Sequence, residues 1–142
     1  MPGGFSPNGD GKNDTFIILG IEDMEGVISC KMNLASIKRS LGKYKEAYFA
    51  YLDILKKIEK INNSKLLLLN NFNLGLVLID LENFEEALTY VQEAANIAEE
   101  INNQKILGLS YNSMGSIYTN LNITDNAISY YKKAIAIFNK EK

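Results

Sequence analysis

From about Glu22 onward the apolar residues recur three and four positions apart, as in Leu66, Leu69, Phe72, Leu76 and Ile79, and again in Leu88, Val91, Ala94, Ala95 and Ala98. This spacing places them on one side of a helix. Short breaks rich in Asn, Gly and acidic residues interrupt the pattern at Gly42-Lys43, Glu82-Asn83 and Asn120 to Thr124, and the INN segments at Ile61 and Ile101 interrupt it again. The pattern predicts helices near 24–41, 44–61, 64–81, 84–101, 104–120 and 124–140. Ser64, Thr124 followed by Asp125, and Asn83 stand where helix caps belong, since a short side-chain oxygen there accepts from a backbone N–H of the first turn.

The breaks themselves repeat. "EKINNSK" at Glu59 to Lys65 returns as "EEINNQK" at Glu99 to Lys105, an offset of 40, and Ala47, Ala87 and Ala127 close similar turn segments at the same spacing. Three helix-turn-helix units follow, about 24–62, 63–102 and 103–142, together spanning a region from 22 to 142. A fixed period of this length marks a solenoid, in which each unit buries its apolar face by stacking on the next. The expected fold is therefore all-α: an α-solenoid of three repeats and six helices, preceded by an irregular segment over residues 1–21.

A second regularity narrows the repeat type. A small residue followed by alanine twelve positions later occurs three times, as Ala35 with Ala47, Gly75 with Ala87 and Gly115 with Ala127. Such a pair leaves two slots where the backbones of a helical hairpin approach closely. Ala94 and Ala134 add a further small contact, with Val91 and Tyr131 three residues before, and Tyr51 stands at the same place in the first unit. These residues resemble the tetratricopeptide repeat, whose pattern runs large residue, Leu-Gly, Tyr, Ala, aromatic, Ala. The third unit fits best, with Tyr111, Met114-Gly115, Tyr118, Ala127, Tyr131 and Ala134. The first departs, with Ala35 in the Gly slot, Lys38 in the Tyr slot and Ile54 in the last Ala slot, as a terminal repeat tolerates. The period of 40 exceeds the roughly 34 residues of the common form and lengthens each helix by nearly a turn. HEAT and armadillo repeats share the length but lack the small-residue-plus-twelve signature.

The resemblance implies that the first helices of the units line a concave groove, and that a protein or peptide partner binds there. The groove positions are then Ser29, Met32, Asn33, Ser36 and Arg39; Leu69, Phe72, Asn73, Leu76 and Asp80; and Leu109, Asn112, Ser113, Ser116 and Asn120. Asn33, Asn73 and Asn112 offer carboxamides, each with both a donor and an acceptor for an extended backbone. The paired lysines and arginine with which chaperone-tail-binding members clamp a terminal carboxylate are missing. The resemblance also leaves room for a peptide-sensing input region attached to a kinase or DNA-binding domain.

Composition removes other classes. The chain has 142 residues, 46% hydrophobic and 23% charged, with a net charge of -2. Fifteen basic against 17 acidic residues supply no basic footprint for nucleic acid or an anionic membrane. Histidine is absent and Cys30 is the single cysteine, so His-based catalysis, an intrachain disulfide and a zinc cluster are all excluded. A non-enzymatic interaction scaffold without cofactor is expected, and the lack of a signal sequence predicts a cytoplasmic location. Cys30 is expected as a small buried hydrophobe, and Tyr44, Tyr48, Tyr90, Tyr111, Tyr118, Tyr130 and Phe84 as packing between helices. The last helix carries Ile128, Ile135, Ile137 and Phe138 without a polar cap after it, which predicts further repeats in a longer protein or self-association through the last hairpin.

Residues 3–21, "GGFSPNGDGKNDTFIILGI", stand outside the repeats. They resemble the opening of the C-terminal sorting domain carried by surface proteins that gliding bacteria export by type IX secretion. The rest of that β-rich domain is absent, so export is not carried over from the resemblance alone, and an exported surface domain with a calcium-binding N-terminal loop stands as the alternative expectation. Asn8, Asp10 and Asp14 mimic alternate ligands of a calcium loop, but Ser6 and Ile17 occupy the places of the acidic first and twelfth ligands, and a turn leading into Phe16 to Leu19 is the expected structure.

Overall fold

The structure, a computed structural model, describes residues 14–140, with side chains from Asp23 onward. Six helices follow one another: α1 Asp14–Ser40, α2 Tyr44–Ile58, α3 Ser64–Asp80, α4 Phe84–Glu100, α5 Gln104–Asn120 and α6 Thr124–Lys140. No strand occurs among the described residues. The hairpins α1–α2, α3–α4 and α5–α6 are the three units, and α2 packs on α3 as α4 packs on α5. The backbones of neighbouring odd helices approach closely, α1 with α3 and α3 with α5, whereas the even helices meet only through long side chains such as Tyr48 and Glu86. The odd helices therefore form the inner row of a curved stack and the even helices its splayed outer row.

Two helix ends differ from expectation. α1 starts at Asp14 instead of near 24, because the apolar run after it continues as helix and an acid at the start complements the helix dipole. Residues 14–21 are thus helical. α2 stops at Ile58, three residues early, where Ile61 N–H turns back to the Ile58 carbonyl in a tightened last turn.

The turns explain the repeated Asn and Gly. Gly42, Glu82, Asn102 and Asn122 have positive φ of 76°, 59°, 58° and 62°. At each, the N–H two residues beyond the helix cap returns to the carbonyl five residues earlier: Lys43 to Lys38, Asn83 to Leu78, Asn103 to Ala98 and Ile123 to Tyr118. This is the Schellman arrangement, which satisfies carbonyls that the helix leaves unpaired and favours Gly or Asn at the left-handed residue. Glu82 is the misfit, because its Cβ is strained there. Glu82→Gly should raise stability by about 0.5–1 kcal/mol despite the added freedom of the unfolded chain, read as a higher urea midpoint at unchanged slope. A lower midpoint would contradict the strain.

The INN segments cap the next unit. Asn63 Oδ1 accepts from Leu66 N–H at 3.0 Å, and Asn103 Oδ1 accepts from Ile106 N–H at 3.1 Å. The cap is therefore Asn63, one residue before the expected Ser64. Asn83 precedes α4 but makes no cap bond; its amide instead donates to Glu86 Oε2 at 2.7 Å.

Apolar contacts between units form the core. Tyr51, Ile54 and Ile58 of α2 meet Leu66, Leu74 and Val77 of α3, and Val91 of α4 meets Met114 and Ile117 of α5. Within the hairpins the small-residue slots are closed: a Cβ on Gly75 would lie 2.4 Å from Val91 Cγ2, and one on Gly115 would lie 2.7 Å from the Tyr131 ring. The tyrosines pack between helices as expected, Tyr118 stacking on Tyr130 at 5.5 Å and Tyr48 donating to Glu86 Oε1 at 3.0 Å, while Tyr44 is exposed.

Candidate functional site

The inner row brings the expected groove residues onto adjacent helices, but it divides them into three kinds. Asn33, Ser36 and Ser29 on α1 face solvent, and Asn73, Leu69 and Leu76 on α3 are half-buried beside them. Asn33 and Asn73 are repeat equivalents. Among the described residues no hydrogen bond engages the amide of either one, so each keeps a donor and an acceptor for a ligand.

Arg39 and Asp80 are brought together as a pair. Arg39 Nε donates to Asp80 Oδ2 at 2.5 Å, and its Nη2 reaches Oδ1 at 3.4 Å. This fork bridges α1 and α3 at one end of the inner row. With the side chains 36% and 21% exposed, the pair contributes about 0–1 kcal/mol to stability. Its larger effect is to hold the first unit against the second, and both charges are spent on each other. Burial pushes the Tyr51 phenol of α2 up from its ordinary value, against the opposing pull of the Ser36 hydroxyl and the Arg39 charge.

The remaining residues differ in how far packing leaves them accessible, Asn112 being exposed and Phe72 buried. Phe72 is only 9% exposed and belongs to the core with Leu107 and Ala95, so it supports the groove from below. Met32, its equivalent in the first unit, is buried too. Asn112 occupies that same row and not the row of Asn33 and Asn73, whose third member is Ser113, itself buried. The carboxamide row thus comprises Asn33 and Asn73 alone. Ser116 is half-buried, and Asn120 donates its amide to the Ser116 carbonyl at 2.9 Å, which turns it back onto its own helix. Cys30 is exposed on α1 and not buried.

Of the calcium candidates, Asn8 and Asp10 lie outside the described residues, and Asp14 is the first residue of α1. No group of three or more Cys, Asp and Glu residues that could hold a metal ion occurs among the described residues. No described helix is long and apolar enough to cross a membrane.

Two features escaped the sequence reading. Asn70 is fully buried between units, where its amide donates to the Tyr51 carbonyl at 3.0 Å while its Oδ1 has no partner; Ser110, its repeat equivalent, is buried with its hydroxyl unpaired. The 40-residue offset already linked these two positions to Cys30, and that link was the available signal.

The likeness to known proteins follows the fold. The family model described as Tetratricopeptide repeat matches residues 64–140, and a second model of the same description matches residues 28–56. Among solved structures, the TPR domain of Arabidopsis FLU superposes with a TM-score of 0.77 at 16% identity, covering 82% of this chain and 98% of that one. The N-terminal domain of stress-induced protein-1 from C. elegans superposes with a TM-score of 0.66 at 14% identity, covering 81% and 87%. No curated protein matches the sequence. At these identities the structures attest the fold alone, but the first family model spans more than half of the sequence, and with the small-residue slots and stacked hairpins it identifies the chain as a member of the tetratricopeptide repeat family.

Proposed function

We propose that this chain is a non-enzymatic protein-interaction module that receives an extended segment of a partner protein along the inner face of α1, α3 and α5. The observation that carries the reading is the Asn33–Asn73 pair, two equivalent carboxamides on touching helices with no partner among the described residues, beside the half-exposed apolar side chains of Leu69 and Leu76. An extended peptide presents alternating N–H and C=O groups, and a carboxamide answers one of each. The leucines add an apolar surface for a side chain of the bound segment. Family membership supports a protein partner, since tetratricopeptide stacks present just such a concave surface.

A peptide selected on this chain from a phage-displayed library supplies the probe. Asn33→Ala/Asn73→Ala should weaken its binding by about thirtyfold, the loss of four solvent-exposed hydrogen bonds of roughly 0.5 kcal/mol each. Glu93→Ala, on the exposed outer side of α4, is the control and should change nothing. Undiminished binding by the double variant would exclude the carboxamide row as the recognition element.

A further inference from the structure

The two ends of the stack expose the same two surfaces that it buries between its units. On α1, Val27, Cys30, Leu34, Ile37 and Leu41 form an unpartnered stripe at heptad-like spacing. Their repeat equivalents are Leu67, Asn70, Leu74, Val77 and Leu81 on α3, and Leu107, Ser110, Met114, Ile117 and Leu121 on α5. Leu34 and Ile37 are 55% and 56% exposed, whereas Leu74, Val77, Met114 and Ile117 are all 0% exposed against the preceding unit. A shallow surface depression also lies on this stripe, lined by Val27, Cys30 and Leu34.

α6 shows the complement. Ile135 and Phe138 are exposed, while their equivalents Ala95 and Ala98 on α4 and Ile58 on α2 are buried under the following unit; Ile128 is exposed too, where Leu88 and Tyr48 are half-buried. Bulk matches as well as position. The α6 row of Ile128, Tyr131, Ile135 and Phe138 resembles the large α2 row of Tyr48, Tyr51, Leu55 and Ile58, and the α1 row resembles the α3 row that α2 receives.

We infer that a second copy of this chain stacks head to tail on the first, α6 of one copy seated on α1 of the next, continuing across the junction the interface that α2–α3 and α4–α5 make within the chain. The contact is heterologous, so it leaves one free face at each end and builds open chains of copies instead of a closed dimer. Cys30 sits at the centre of this contact, in the place where Asn70 meets the Tyr51 carbonyl, and would face the backbone at Tyr131 of the neighbouring copy.

Sedimentation equilibrium of the full chain tests this directly. The weight-average mass should climb with concentration past that of a dimer, and the Cys30 thiol should become slower to alkylate over the same range. Leu34→Glu leaves only the α6 face competent and Ile135→Glu leaves only the α1 face, so each variant alone should be monomeric. Mixed, they should form a dimer of one copy of each and nothing larger. Both side chains are exposed, and unchanged helical circular dichroism will show that the variants fold. A wild type that stays monomeric, a single variant that still dimerises, or a mixture that stays monomeric would each overturn the head-to-tail contact.

Discussion

Leu74→Asp is expected to disrupt the stack between the first and second units. Leu74 is 0% exposed, packed between α2 and α3 with Tyr51, Ile54 and Val77 around it. The substitution removes an apolar side chain and leaves a carboxylate with no cation among its neighbours, so the loss is on the order of 5 kcal/mol. That is comparable to the whole stability of a small domain. The loss should fall as pH is lowered. A carboxyl buried here would have a folded pKa above its unfolded value, so the folded state binds more protons and gains stability on acidification relative to the same protein at neutral pH. Urea unfolding of the variant and the wild type at neutral and mildly acidic pH measures both effects. A loss below about 1 kcal/mol would show that the site hydrates or relaxes in a way the packing does not suggest.

The second expectation concerns the two glycine slots, which look alike in sequence but not in space. Gly75→Ala should destabilise by about 2 kcal/mol, because the new methyl would lie 2.4 Å from Val91 Cγ2, with the Val91 nitrogen at 3.4 Å and the Ala87 carbonyl at 3.5 Å behind it. Val91 is fully buried and β-branched, so its rotamer cannot move aside. Gly115→Ala meets the Tyr131 ring at 2.7 Å, and that ring is only partly buried. It can swing outward, and the first unit already places Ala35 opposite Tyr51. The helix propensity gained over glycine, about 1 kcal/mol, then offsets most of the cost. Thermal unfolding of the two variants side by side decides the matter, and equal effects would rule out the difference in yielding of the opposing side chain.

The same contrast between pattern and environment runs through the proposed binding surface. Asn33 and Asn73 were legible because a repeat of 40 residues carries a position onto its equivalent. Asn112 stands one position off their row, a shift that turns a helical side chain by roughly 100° and sets it in the row of Met32 and Phe72, where it alone is exposed. Asn also proved more informative than its abundance suggested. Asn63 and Asn103 cap α3 and α5, and Asn102 and Asn122 take the left-handed turn that residues other than Gly and Asn avoid.

By itself the sequence determined the architecture: the helical spacing, the 40-residue offset, and the small residues at Gly75, Ala87, Gly115 and Ala127 are local or strictly periodic, and periodicity survives in one dimension. Only the tertiary structure decided which inner-row side chains remain available. Phe72 sinks under the next unit, Arg39 and Asp80 neutralise each other across two helices, and Cys30 surfaces where Asn70 and Ser110 are buried. The physical reason is that burial in a solenoid depends on whether a neighbouring unit lies against a face, so identical positions in the repeat acquire opposite environments along the stack.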